Sequence, residues 1–124
     1  MIVIYVAGPF RAKNQWGIAE NIRKAERYGV MVAEAGAMPL IPHANTAHFH
    51  GLQTDEFWLA GTLSLLERCD GAIFIPGWQL SSGSKGEWAW CDEVWLPKLN
   101  LDLHELARPA IERFVSNIID GKED

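Results

Sequence analysis

Cysteine is scarce in this chain of 124 residues, which has only Cys69 and Cys91. Two cysteines make no disulfide framework. They read as reduced core thiols, so the expected compartment is the cytoplasm. Basic charge is not in excess either. The formal net charge is −5 and no basic stripe is visible, which argues against a surface for nucleic-acid polymers. No apolar run approaches the roughly 20 residues of a membrane span. The N-terminus enters a strand-like segment without the basic region of a secretion signal. Around His43, His48 and His50 no Cys, Asp or Glu stands at a familiar ligand spacing. The expectation is therefore no metal, no cofactor and no membrane partner. Internal repeats and low-complexity stretches are missing too. The chain reads as a single domain over residues 1–124.

What is present alternates between strand and helix. Ile2-Val3-Ile4-Tyr5-Val6-Ala7 is a continuous apolar run, the pattern of a parallel strand buried on both faces. Gly8-Pro9-Phe10-Arg11 ends it, with Gly8 permitting close approach of a ligand. Arg11 is either a cation for a phosphate or a solvated loop charge. From Gln15 to Ala35 the positions Ile18, Ile22, Ala25, Gly29, Val32 and Ala33 form a helical stripe, and Gly36 stands at a glycine cap. Glu20, Arg23, Lys24, Glu26 and Arg27 are then the solvated face. A second strand is predicted over 37–41, completing a βαβ unit. Residues 42–51 read as a polar loop, in which His43 and Asn45 stand nearest the strand end and are candidate ligand contacts.

Thr54 caps a helix predicted to run to Arg68, with Phe57, Leu59, Leu63 and Leu66 apolar. Asp70 reads as a structural hydrogen-bonding residue before a third strand over 72–76. A helix follows from Ser84 to about Leu96, with Trp88, Cys91 and Trp95 on one stripe. A short strand over Lys98–Leu101 and a helix over Glu105–Ile119, interrupted early by Pro109, complete the chain. The polar tail 120–124 is expected to fray. Six tryptophans are many for this length, and some of them, Trp78 among them, are expected to line a pocket or a subunit interface.

The stretch joining the third strand to its helix carries the chemistry. Pro76-Gly77-Trp78-Gln79-Leu80-Ser81-Ser82-Gly83-Ser84-Lys85-Gly86-Glu87 is a Gly/Ser loop running into a helix N-terminus. Such a place favours anions, because unpaired N–H groups and the helix dipole point at the ligand. Glu87 is read as a first-turn carboxylate facing the same cavity, kept ionised by the helix terminus. It either acts on a polyhydroxylated or phosphorylated ligand or merely complements the dipole.

In the order and spacing of Tyr5-Val6-Ala7-Gly8-Pro9-Phe10, Pro42-His43, Asp70 and Ser81-Ser82-Gly83-Ser84-Lys85-Gly86-Glu87, the chain resembles the nucleoside 2-deoxyribosyltransferase superfamily, including its 2′-deoxynucleoside 5′-monophosphate N-glycosidases. The resemblance spans roughly residues 2–92. It implies a flavodoxin-like (Rossmann-like) α/β three-layer sandwich with a four- to five-stranded parallel sheet. It also implies a homo-oligomer acting on a small-molecule nucleoside or nucleotide. Glu87 would be the nucleophile, attacking the anomeric carbon as in a retaining glycosidase. Tyr5, Gly8, Pro9, Phe10, Arg11, His43, Asn45, Trp78, Ser81, Ser82 and Gly83 would surround the substrate. The position of Ser81 is acidic in the nucleoside-transferring branch and serine in the monophosphate glycosidases, so Ser81 implies a 5′-phosphate. An acid expected eight positions before Asp70 is Thr62 here, which cannot serve as a general acid near pH 7. Either His43 or Asp55 protonates the leaving base, or the chain binds a nucleotide derivative without catalysis. An NAD-type glycohydrolase, whose base leaves without a proton, is a further alternative. So is a structural module in which the tryptophans serve assembly.

Overall fold

The computed structural model describes residues 1–123, and Asp124 lies outside the described residues. Its centre is a four-stranded, all-parallel sheet in the order β2-β1-β3-β4. β1 spans Val3–Ala7, β2 Met38–Leu40, β3 Gly71–Phe74 and β4 Lys98–Asn100. Tyr5 of β1 stands opposite Leu40 on one side and Ala72 on the other. This is a flavodoxin-like, Rossmann-like α/β fold.

The uniform apolar runs in β1 and β3 follow from burial on both faces. Ile4 and Val6 point to one side, where they join Ile73 and Ile75 against α1 (Gln15–Glu34) and α5 (Ala107–Glu123). Tyr5 and Ala7 point to the other side, packing with Phe74, Leu66, Trp78 and Cys91 against α3 (Asp55–Glu67) and α4 (Ser82–Val94). The period of two along β1 therefore assigns each residue to one helical layer. Asp70 has the structural role read from the sequence. Its carboxylate accepts from the Val3 N–H at 2.8 Å and pairs with Lys122 at 2.8 Å, fastening the start of β3 to β1 and α5.

Several boundaries differ from expectation. The loop after β2 begins with a helical turn, α2 (Pro42–Asn45), with proline at the first helical position, where its missing N–H costs nothing. Pro109 does not interrupt the last helix, because α5 starts at Ala107 and places it in the first turn. The tail expected to fray is helical through residue 123. Trp95 leaves the stripe of α4 and ends that helix in the left-handed region, at φ 61°, 90% exposed. Lys24 is not on a purely solvated face, since its ammonium reaches the Pro76 carbonyl. On α3, Phe57 and Leu59 are half exposed and Leu66 is its one buried residue. Helical spacing identified that element, but its apolar residues occur all round and do not select one face.

Candidate active site

β1 and β3 are neighbours at the point where the strand order reverses, and the crevice beyond their C-terminal ends is where open α/β sheets take ligands. Residues 8–13 leave β1 there, and residues 75–81 leave β3.

Tyr5 and Glu87 meet beneath this edge. The Tyr5 hydroxyl faces the Glu87 carboxyl and Thr62 and favours the charged form of Glu87, and the Thr62 hydroxyl itself donates to the Leu59 carbonyl at 3.1 Å. Tyr5 is 1% exposed, so it holds Glu87 from below and does not present its ring to a ligand. Burial, and then the Glu87 charge, push its hydroxyl far above the usual tyrosine range, so it remains a donor.

Glu87 itself departs from expectation. α4 begins at Ser82, two residues earlier than the sequence suggested, because Ser81 is extended and its Oγ accepts the Ser84 N–H at 3.2 Å. Glu87 therefore lies in the second turn, beyond the short reach of the dipole. Burial pushes its carboxyl up to about 7, with the Tyr5 hydrogen bond pulling the other way. The helix terminus does not keep it ionised. Its Oε2 is buried without a partner among the described residues.

Gly8 serves the packing of the sheet edge. A Cβ placed on it would meet Ile75 Cγ1 at 2.5 Å, so its bareness accommodates Ile75, where the chain leaves β3. His43 is buried and its Nε2 donates to the Gly8 carbonyl at 2.9 Å. Burial lowers its pKa, with the Gly8 and Pro9 carbonyls opposing, so the ring is neutral. Its only N–H is spent on the backbone, which removes it as an acid for a leaving base. Pro9 and Phe10 are half-buried, and Phe10 stands edge-on to His43 at 5.5 Å.

Arg11 and Asp55 pair with each other at 3.0 Å, both largely exposed. The pair ties the β1 loop to the start of α3, and neither group reaches inward as a phosphate cation or proton donor. Asn45 is exposed on α2, as are His48 and His50 on the loop beyond it. Trp78 belongs to the core. It stacks on Trp88 at 4.8 Å, meets Phe74 edge-on, and its indole N–H donates to Asn100 Oδ1 at 3.0 Å. Ser81 is half-buried, Ser82 exposed, and Gly83 half-buried beneath Leu59. Ser81 accepts in its capping bond, so its own hydroxyl proton is available to an anion.

Three participants were not singled out as site residues from the sequence. Thr62 was noticed only as a missing acid, yet it touches Tyr5. Ser84 is 1% exposed with an unpartnered Oγ, and its place three residues before Glu87 was the available signal. Lys24 secures Pro76 beside Gly77, whose φ of 91° favours glycine and whose N–H donates to Asp102 at 3.3 Å. The thiols of Cys69 and Cys91 are each pushed up to about 11, first of all by burial, and neither is poised for nucleophilic work. A groove of about 430 Å³ lies at the opposite end of the sheet, beside Asp70 and Lys122. It is remote from Glu87. Among the described residues no helix is long and apolar enough to cross a membrane.

No curated protein matches the chain. The sequence profile of a domain of unknown function, DUF7768, matches residues 2–99. The match takes in β1, β3, α4 and every element that positions Glu87, and the chain belongs to that family.

Proposed function

We propose that the chain is an N-glycosidase or deoxyribosyltransferase acting on nucleoside 5′-monophosphates through a covalent glycosyl–Glu87 intermediate, as its resemblance to the nucleoside 2-deoxyribosyltransferase superfamily implies. The observation that carries the reading is the Glu87 carboxyl, held by Tyr5 at the ligand-binding edge of a parallel sheet, with Oε2 buried and uncommitted. Ionised Glu87 attacks the anomeric carbon, forming a C–O bond as the C–N bond breaks. The base departs with the electron pair of that bond. Water or a second base then takes the sugar and regenerates the carboxylate. Tyr5 steadies the carboxyl and favours its charged form. Ser81 supplies a donor for the 5′-phosphate, where an acid would repel it.

A second reading has its own observation. His43 spends its N–H on Gly8, Asp55 is paired with Arg11, and Thr62 is not an acid. A site without a proton donor suits a pyridinium base, as in an NAD-type glycohydrolase, or a domain that binds a nucleotide derivative without cleaving it. Under either reading the chain works in the cytoplasm as a homo-oligomer, which exposed Phe57, Leu59, Leu80 and Trp95 support.

Mass spectrometry of quenched reactions tests the mechanism. The expected result is a sugar-phosphate adduct on the peptide bearing Glu87. Turnover without any adduct, unchanged in Glu87→Gln, would exclude covalent catalysis at this residue.

A further inference from the structure

Three buried side-chain atoms lack a hydrogen-bond partner among the described residues: His43 Nδ1, Ser84 Oγ and Glu87 Oε2. Buried polar atoms are almost always paired, so each such orphan calls for an explanation. Two of them belong together. Ser84 and Glu87 are three residues apart within α4, which puts them on one face with Cβ atoms about 5–6 Å apart. Ser84 has no solvent to satisfy it at 1% exposure, and its backbone N–H is already spent on Ser81.

We propose that Ser84 Oγ and Glu87 Oε2 together seat one ligand hydroxyl, the one on the carbon next to the anomeric centre, so that the site takes ribosyl in preference to 2-deoxyribosyl compounds. The inference rests on the reading of Glu87 as the group that faces the anomeric carbon, and within that reading it selects glycosidase action on ribosyl compounds over deoxyribosyl transfer. A carboxylate presenting one oxygen to that carbon presents its other oxygen to the neighbouring substituent, where a hydroxyl strengthens its bond as charge develops. The hydroxyl donates to Glu87 and accepts from Ser84, and both orphans are satisfied. A 2-deoxy sugar leaves them unpaired.

Access comes from the cover above them. The Leu59 side chain of α3 lies 3.6 Å from where a Cβ on Gly83 would sit, over the first turn of α4. α3 buries only Leu66, close to its C-terminus, and most side chains of its first half are exposed, so this cover is thin.

The test is calorimetric binding of ribose 5-phosphate and 2-deoxyribose 5-phosphate to the full chain, wild type and Ser84→Ala. The expected result is roughly 100-fold tighter binding of ribose 5-phosphate by the wild type, because the deoxy probe strands two buried polar atoms. Ser84→Ala is expected to lose most of that preference while binding the deoxy probe within a few-fold of wild type. Without ligand it should melt no lower than wild type, since the hydroxyl has no partner in the fold. Equal binding of the two sugars would mean that the orphans hold water only and would overturn the proposal. A preference surviving in Ser84→Ala, a destabilised variant, or no binding of either probe would overturn it as well. Base release from nucleotides is scored separately. A ribose preference that depends on Ser84, without base release, retires the glycosidase reading and leaves this one standing.

Discussion

Tyr5 of β1 and Glu87 of α4 face each other across the interface between strand and helix, where burial pushes the carboxyl up to about 7 against the opposing effect of the phenol. The strand's period of two aims Tyr5 at this layer, and the start of α4 at Ser82 brings Glu87 to it. Neither residue makes the site alone. The carboxyl needs the hydroxyl to stay charged near neutrality, and the hydroxyl needs the carboxyl as an acceptor in an otherwise apolar place.

Removing that donor should move a titration. Tyr5→Phe deletes the hydrogen bond that lowers the Glu87 pKa, so the carboxyl should ionise at higher pH. The rising, alkaline-going limb of kcat/KM against pH, set by ionisation of Glu87, should shift to higher pH. An unshifted limb with reduced activity would limit Tyr5 to packing.

Glu87 should cost the protein stability at neutral pH. Its folded pKa, about 7, lies above the ordinary 4.5, so the native state binds the proton more tightly than the unfolded chain. Stability is then lost as pH rises from about 4.5 to about 7, and Glu87→Gln, which does not titrate, escapes the loss. Relative to wild type, the variant should gain on the order of 3 kcal/mol between pH 4 and pH 8 in urea unfolding. A pH-independent difference between the two would contradict the burial of this charge.

Gly8 should matter to folding more than to recognition. An added methyl would press on Ile75 Cγ1 at 2.5 Å. Gly8→Ala should therefore lose about 1–3 kcal/mol through overpacking, read as a lower urea midpoint at unchanged slope.

Ser81→Asp separates phosphate binding from folding, because aspartate caps a helix as well as serine does. The variant should keep its melting temperature, bind nucleoside monophosphates much more weakly and bind nucleosides nearly as before. Equal losses for both ligands would remove Ser81 from phosphate recognition.

The layers of this fold were largely legible in the chain. The apolar runs around Ile4 and Ile73 announced buried parallel strands, and the stripe of Ala25, Gly29 and Val32 announced the helix that crosses from β1 to β2. Burial on two faces leaves little else for such runs to be. The helix start at Ser81 and Ser82 was less legible, because a string of serines and glycines offers several caps of similar strength. That two-residue ambiguity moved Glu87 by half a turn, out of reach of the helix terminus, where burial raises its pKa. The roles of His43, Trp78 and Arg11 depend on contacts distant in sequence, with Gly8, with Asn100 and with Asp55. No local pattern encodes those contacts. Ser84 was within reach of reasoning from its spacing to Glu87, but its orphaned hydroxyl appears only in three dimensions.

The central claim is most directly tested by base release from ribo- and deoxyribonucleoside 5′-monophosphates, the matching nucleosides and NAD, comparing wild type with Glu87→Gln. The account predicts release from at least one of these substrates by the wild type, reduced by more than roughly 1,000-fold in the variant as expected for a lost nucleophile. Release that persists in Glu87→Gln, or no release from any of them by the wild type, would contradict it.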